Sequence, residues 1–219
     1  MAELAARSEA PRADSDDAGP VGPERLIYFS DAVIAIAITL LALELPTPTG
    51  VHGDAGVLAF LRDHSAEYLA FLISFAAVAM HWLIHQRLFR YATGLVGPVI
   101  RWNLLWLLMI VVMPFTTKLL TSEADAFEVQ FTVYAVDQAL AGLFLVLAFS
   151  SLHRSALLRP NTPPAVIDNA TEFMTAVVVM FALSIPVAFV THWASLCWLL
   201  LPAVRAAVHF LRRRPSITE

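Results

Sequence analysis

Charge is scarce in this chain and cysteine nearly absent: 15% of its 219 residues are charged, and the single cysteine is Cys197. One thiol cannot form an intrachain disulfide, so nothing points to an oxidising compartment. Lying in an apolar run, Cys197 reads as a small core residue. No His-Glu-x-x-His signature is present, and no nucleophile, base or metal set converges as a membrane enzyme would require. No repeat relates the two halves, in contrast to many secondary transporters. The carbonyl filter segment Thr-Val-Gly-Tyr-Gly is missing too; Thr132-Val133-Tyr134-Ala135 shares only its opening, lacks both glycines and reads as ordinary helix. Residues 1–24 are rich in Ala, Pro, Asp and Glu without an apolar run, which excludes a signal peptide and predicts a disordered tail.

What fills the rest is apolar: 58% hydrophobic residues and a mean hydropathy of +0.70. A soluble domain of this size cannot hide that much apolar surface, and the apolar residues fall in runs of roughly 20, the length of a bilayer-spanning helix. The sequence therefore predicts an all-α polytopic membrane protein with six spans, at about Arg25–Leu45, Glu67–Gln86, Val99–Leu120, Phe127–Leu152, Asp168–Val190 and Trp193–Leu211. Residues 25–211 form the membrane domain and 212–219 a basic tail. Pro46 and Pro48 end the first span, Gly97 and Pro98 open the third, and Pro114, Pro186 and Pro202 lie inside spans as kink sites. With the amino terminus inside, eleven cations fall on inner ends and loops, while only Arg62 and Lys118 fall outside and Arg205 lies within the last span. That asymmetry predicts two cytoplasmic termini and a multi-pass protein of the plasma membrane. The Arg212 to Arg214 cluster reads as a stop-transfer anchor or a lipid-phosphate site.

The first span carries the most information. Its opening turns hold Ser30 and Asp31, and an ionisable group at such a place is costly unless it has a task. On a helical wheel Ile36, Leu40 and Leu43 share one face, beside a stripe of small residues formed by Ala32, Ala35, Thr39 and Ala42. The small stripe suits an interhelical seam; the bulky stripe is free to face lipid, core or an oligomer axis. Asp31 lies about 140° from the bulky face, so it reads as a hydrogen-bond acceptor for a neighbouring helix rather than an ion ligand. Candidate donors are His81, Trp82, His85 and Asn103. Arg25 either joins this network or snorkels to the interface.

Arg25-x-x-x-Phe29-Ser30-Asp31, followed by Thr39-Leu40-Leu41, resembles the signature of the lysosomal potassium channel family, transmembrane protein 175, in its six-helix prokaryotic form. The resemblance extends to His81-Trp82-Leu83-Ile84-His85-Gln86-Arg87-Leu88-Phe89, where Gln86 replaces a usual second histidine, and to Leu107 through Thr117. It implies a homotetramer in the lipid bilayer, conducting potassium through a pore lined by the first helix. Carried over, Ile36, Leu40 and Leu43 correspond to apolar constrictions, and Thr39 to a hydroxyl at or near the pore. The expected protein is a weakly potassium-selective cation channel. It is not an enzyme, uses no cofactor beyond the permeant ion, and binds neither a metal nor nucleic acid. His81 and His85 share a helix face at metal-binding spacing, but no further ligands are marked and hydrogen bonding is the simpler role. Glu44 is placed either to attract cations at a pore mouth or to sit at the interface. The rival reading is a proton- or cation-coupled secondary transporter using Asp137, which lies with Gln138 deep in the fourth span.

Overall fold

The computed structural model describes residues 22–213 apart from 123, 125 and 192. Five helices among them are long and apolar enough to cross a bilayer: α1 (Pro23–Leu43), α3 (Ser65–Phe89), α4 (Gly97–Leu120), α5 (Phe127–Arg154) and α6 (Pro164–Ala188). A short helix, α2 (Gly53–Asp63), lies between the first two, and a 3₁₀ segment (Ala194–Leu200) runs into α7 (Leu201–Arg213). Most of the expected tail and residues 214–219 lie outside the described residues, as does any role for the Arg212 to Arg214 side chains.

Proline and glycine set the boundaries. α1, α4 and α6 each carry Pro in the first turn, where its missing N–H costs nothing and its fixed φ favours the helix. The sixth segment departs from the continuous helix expected over Trp193–Leu211. Pro202 has no N–H to give to Trp198, so the helical ladder breaks there and restarts at Leu201. Seven residues at a 3₁₀ rise and thirteen at an α rise still extend about 33 Å, comparable to the hydrocarbon thickness. Trp198 fixes the 3₁₀ part by packing among Phe131, Tyr134 and Phe181, at ring separations of 5.3 to 5.5 Å. α2 escaped the sequence reading because it spans only 11 residues and contains Gly56; it follows a turn with Gly50 and Gly53 at φ +72° and +73°, values that cost glycine little.

Contacts at the two ends fix the alternation of helix directions. At one end Lys118, on the last turn of α4, pairs with Glu44 just after α1, and the Tyr68 hydroxyl near the start of α3 donates to the Pro46 carbonyl at 2.8 Å. At the other end the loops after α3 and α5 clasp, the Thr93 and Arg159 N–H groups donating to the Leu157 and Tyr91 carbonyls, each at 2.9 Å. The core is the α4–α5–α6 layer, with α5 packed over Ala141 and Gly142, where a Cβ on Gly142 would come within 2.9 Å of Val178. Helix α1 joins this bundle from one side, against α4 and α3.

Candidate functional site at the first helix

Helix α1 is docked by one narrow stripe. Ser30, Ile34, Ala37 and Leu41 are buried, at the i, i+4, i+7, i+11 spacing of a single helix edge. The seam expected on Ala32, Ala35, Thr39 and Ala42 is not the one used within the chain: all four are exposed, because α3 and α4 both approach from the other side. Ile36, Leu40 and Leu43 are 59%, 40% and 77% exposed. The most apolar span is thus the least covered, with 22% of its central window buried against 33–50% for the other four. The Thr39 hydroxyl donates to the Ile36 carbonyl at 2.8 Å, which commits its proton and leaves its lone pairs turned outward.

Two adjacent polar residues orient the helix. Ser30 donates to its own Leu26 carbonyl at 2.8 Å and accepts from the Asn103 amide of α4 at 3.0 Å. The Asn103 carbonyl in turn accepts from His85 Nε2 of α3 at 2.9 Å. That bond assigns the His85 proton to Nε2, and Nδ1 is left as a buried acceptor with no partner. Asp31, one residue and about 100° further round α1, faces α3, where the Trp82 indole donates to Oδ1 at 2.9 Å and the Gln86 amide donates to the same oxygen. Of the four candidate donors to Asp31, only Trp82 takes that role. Asn103 donates to Ser30, His85 donates to Asn103, and Gln86, the departure from the family pattern, is the second donor to Asp31. Arg25 is exposed and enters none of these bonds.

Trp106 is the participant that sequence reading missed. Fully buried on α4, it stacks on the His85 ring at 4.6 Å and 10° and donates from its indole to His81 Nδ1 at 3.2 Å. Phe89 covers the other face of His85 at 4.3 Å. Its position three residues after Asn103 was the available signal, since i and i+3 share a helix face. With His85 Nε2 and His81 Nδ1 both spent on these bonds, the pair presents no converging lone pairs to a metal. Among the described residues no group of three or more metal-ligating side chains occurs.

A second polar cluster lies away from the open face of α1. Tyr134, Ser74 and Thr117 form a chain of 3.1 and 2.8 Å, and Thr117 also reaches the Met113 carbonyl at 2.8 Å, directly before Pro114. Thr117 has one proton for two acceptors, the Ser74 hydroxyl and the Met113 carbonyl, and divides it between them. Asp137 is buried and takes a bond from the Thr116 hydroxyl at 3.3 Å, while its other oxygen has no partner. Asp137 is thus held between α4 and α5.

These observations define a class: a polytopic helical membrane protein whose first helix is polar-anchored at one end and keeps an apolar face open along the rest. Residues 25–114 match the family Endosomal/lysosomal potassium channel TMEM175. A curated potassium channel of Chamaesiphon minutus is 31% identical over 78% of this chain and 86% of its own length. The crystal structure of a lysosomal potassium-selective channel TMEM175 homolog from the same organism superposes with a TM-score of 0.69 at 26% identity, covering 85% of this chain and 97% of that one. The Endosomal/lysosomal proton channel TMEM175 of Danio rerio is 38% identical, over 34% of this chain and 16% of its own length. The chain belongs to the TMEM175 family of ion channels.

Proposed function

We propose that this chain is one subunit of a homotetrameric, weakly potassium-selective channel of the plasma membrane, with both termini cytoplasmic and a pore lined by α1. The observation that carries the reading is the open face of Ile36, Leu40 and Leu43 on a helix whose opposite edge is docked. A single helix cannot enclose a path, so that face requires further copies. Four helices packed 8–10 Å apart place their axes about 6–7 Å from the four-fold axis, and a Cα radius of 2.3 Å leaves about 4 Å. That is the reach of a branched aliphatic side chain, so four copies of Ile36 would close to a narrow apolar ring. The small stripe of Ala32, Ala35, Thr39 and Ala42 fits beside it as the seam between neighbouring α1 helices.

Such a ring offers no carbonyl ligands, so an ion crosses it only after losing part of its hydration shell or once the ring wets. Potassium gives up water more readily than sodium, which yields a preference without a Gly-Tyr-Gly filter. The outward lone pairs of Thr39 supply a hydroxyl oxygen near that ring. No cofactor is required beyond the permeant potassium ion. The name of the Chamaesiphon relative supports the choice of potassium.

The test is a reversal potential in mixed potassium and sodium solutions. Ile36→Asn places four amides in the ring and is expected to raise conductance and lower the preference for potassium. Selectivity unchanged in Ile36→Asn but altered in Asp31→Asn would put the other face of α1 toward the ion. Reporter fusions near Pro48 that read inside would overturn the sidedness.

A further inference from the structure

We infer that a basic cavity between α3, α6 and α7 binds the phosphate of an anionic phospholipid. The cavity has a volume of about 610 Å³ and is lined by Arg87, Arg90 and Tyr91 at the end of α3, Asn169 and Phe173 on α6, and Arg205 on α7. A second cavity of about 520 Å³ adjoins it, sharing Asn169, Phe173 and Arg205. No carboxylate lines the larger cavity. Glu172, which lines the adjoining cavity, is bonded to His209 at 2.8 Å. Among the described residues none of the three arginines makes an ion pair, and Arg205 lies over the Phe173 ring at 5.6 Å. Three guanidinium groups from two helices thus face one opening without a counter-charge, and the planar, fork-like donors of Arg match phosphate oxygens.

The apolar part of the cavity selects the source of that phosphate. Along α3 the lining runs from Arg90 back to Met80, ten residues or about 15 Å of helix, half the hydrocarbon thickness. An acyl chain entering from the bilayer would lie along that wall with its headgroup at the arginines. A free phosphate uses only the arginine end. Placement at the ends of α3 and start of α6 puts the site at the membrane surface where basic pockets between helices take anionic headgroups. Helix α1 contributes nothing to it, so the inference stands independently of the pore.

Native mass spectrometry of the detergent-solubilised full chain, titrated with phosphatidylglycerol and with phosphatidylcholine of the same acyl chains, tests this. The wild type is expected to retain phosphatidylglycerol preferentially, and the preference to fall about fivefold for each guanidinium removed across Arg87→Gln, Arg90→Gln and Arg205→Gln. Arg154→Gln with Arg159→Gln, in a different cavity, is expected to leave it intact. Raising salt on the wild type should erode the preference, a measurement that does not depend on any variant folding. A wild type without headgroup preference overturns the proposal, as does equal loss in the control pair. Displacement of the lipid by millimolar inorganic phosphate, with water-soluble glycerophosphoglycerol binding as tightly as the lipid, would assign the site to free phosphate and overturn the lipid reading.

Discussion

Asn103 is the joint through which α1 is tied to both α3 and α4, and Asn103→Leu is the most informative perturbation of the fold. The side chain is fully buried and makes two bonds, donating to Ser30 and accepting from His85. Leucine keeps a similar bulk but strands the His85 Nε2 proton in an apolar site, since Trp106 and Phe89 cover both ring faces. Leaving one buried donor unpaired costs about 1–3 kcal/mol. Interhelical hydrogen bonds in membranes couple by about 0.6 kcal/mol on average and about 1.7 at most. The expected loss is therefore about 2 kcal/mol for Asn103→Leu, a factor of about 30 in the folding equilibrium. Its coupling with Ser30→Ala should be about 0.5–1.5 kcal/mol.

Reversible unfolding by SDS titration in mixed micelles reads both quantities from one double-mutant cycle. Leu104→Ala, on the exposed face of the same helix, serves as the control, and such surface changes stay within about 0.5 kcal/mol. If Asn103→Leu costs no more than this control, the network does not hold α1. If the single costs are large but the coupling with Ser30→Ala is nil, Asn103 acts only through His85.

Other outcomes follow from single contacts. Lys118→Gln removes the partner of Glu44; on the channel reading this leaves four uncompensated carboxylates at the mouth, and single-channel conductance is expected to rise at low salt and to match wild type at high salt. Gln86→Leu takes one of the two donors from Asp31 and should lower stability by about 1 kcal/mol in the same SDS titration; a loss indistinguishable from zero would mean that Trp82 alone suffices. Asp137→Asn keeps the Thr116 contact available, since the amide carbonyl accepts as the carboxylate does; stepwise current should persist, whereas its abolition would favour the transporter reading.

Much of this architecture was legible because it rests on composition and local periodicity. The apolar runs located the five long helices, and Ser30, Asp31, Asn103 and His85 stood out as polar residues that hydrocarbon does not tolerate without partners. What stayed hidden depended on tertiary approach. The wheel found two stripes on α1 but could not tell which edge α3 and α4 would occupy; within the chain that edge is a third one, Ile34, Ala37 and Leu41. Trp106 has nothing in the sequence that sets it apart from other aromatics of the spans; its part is defined by the His85 ring lying flat against it. Gln86 looked like a loss because a family pattern, rather than its two amide protons, was the standard of comparison. The break before α7 was readable from Pro202, but the aromatic nest that stabilises a 3₁₀ segment there draws on two other helices, α5 and α6.

The pairing of Ser30 with Asp31 explains how a helix with so little buried surface acquires a defined orientation. Apolar contacts at Ile34, Ala37 and Leu41 hold α1 to the bundle but resist rotation weakly, because neighbouring Ala and Ile side chains could replace them after a turn of about 100°, one residue of helix. Hydrogen bonds do not tolerate that exchange. Ser30 must meet Asn103 on α4 while Asp31 meets Trp82 and Gln86 on α3, and two partners in different directions leave one angle that satisfies both. That angle determines that Ile36, Leu40 and Leu43 turn away from the bundle. A carboxylate distant from the open face therefore controls which residues occupy it, and this is the task that repays placing a charge at the start of a membrane span.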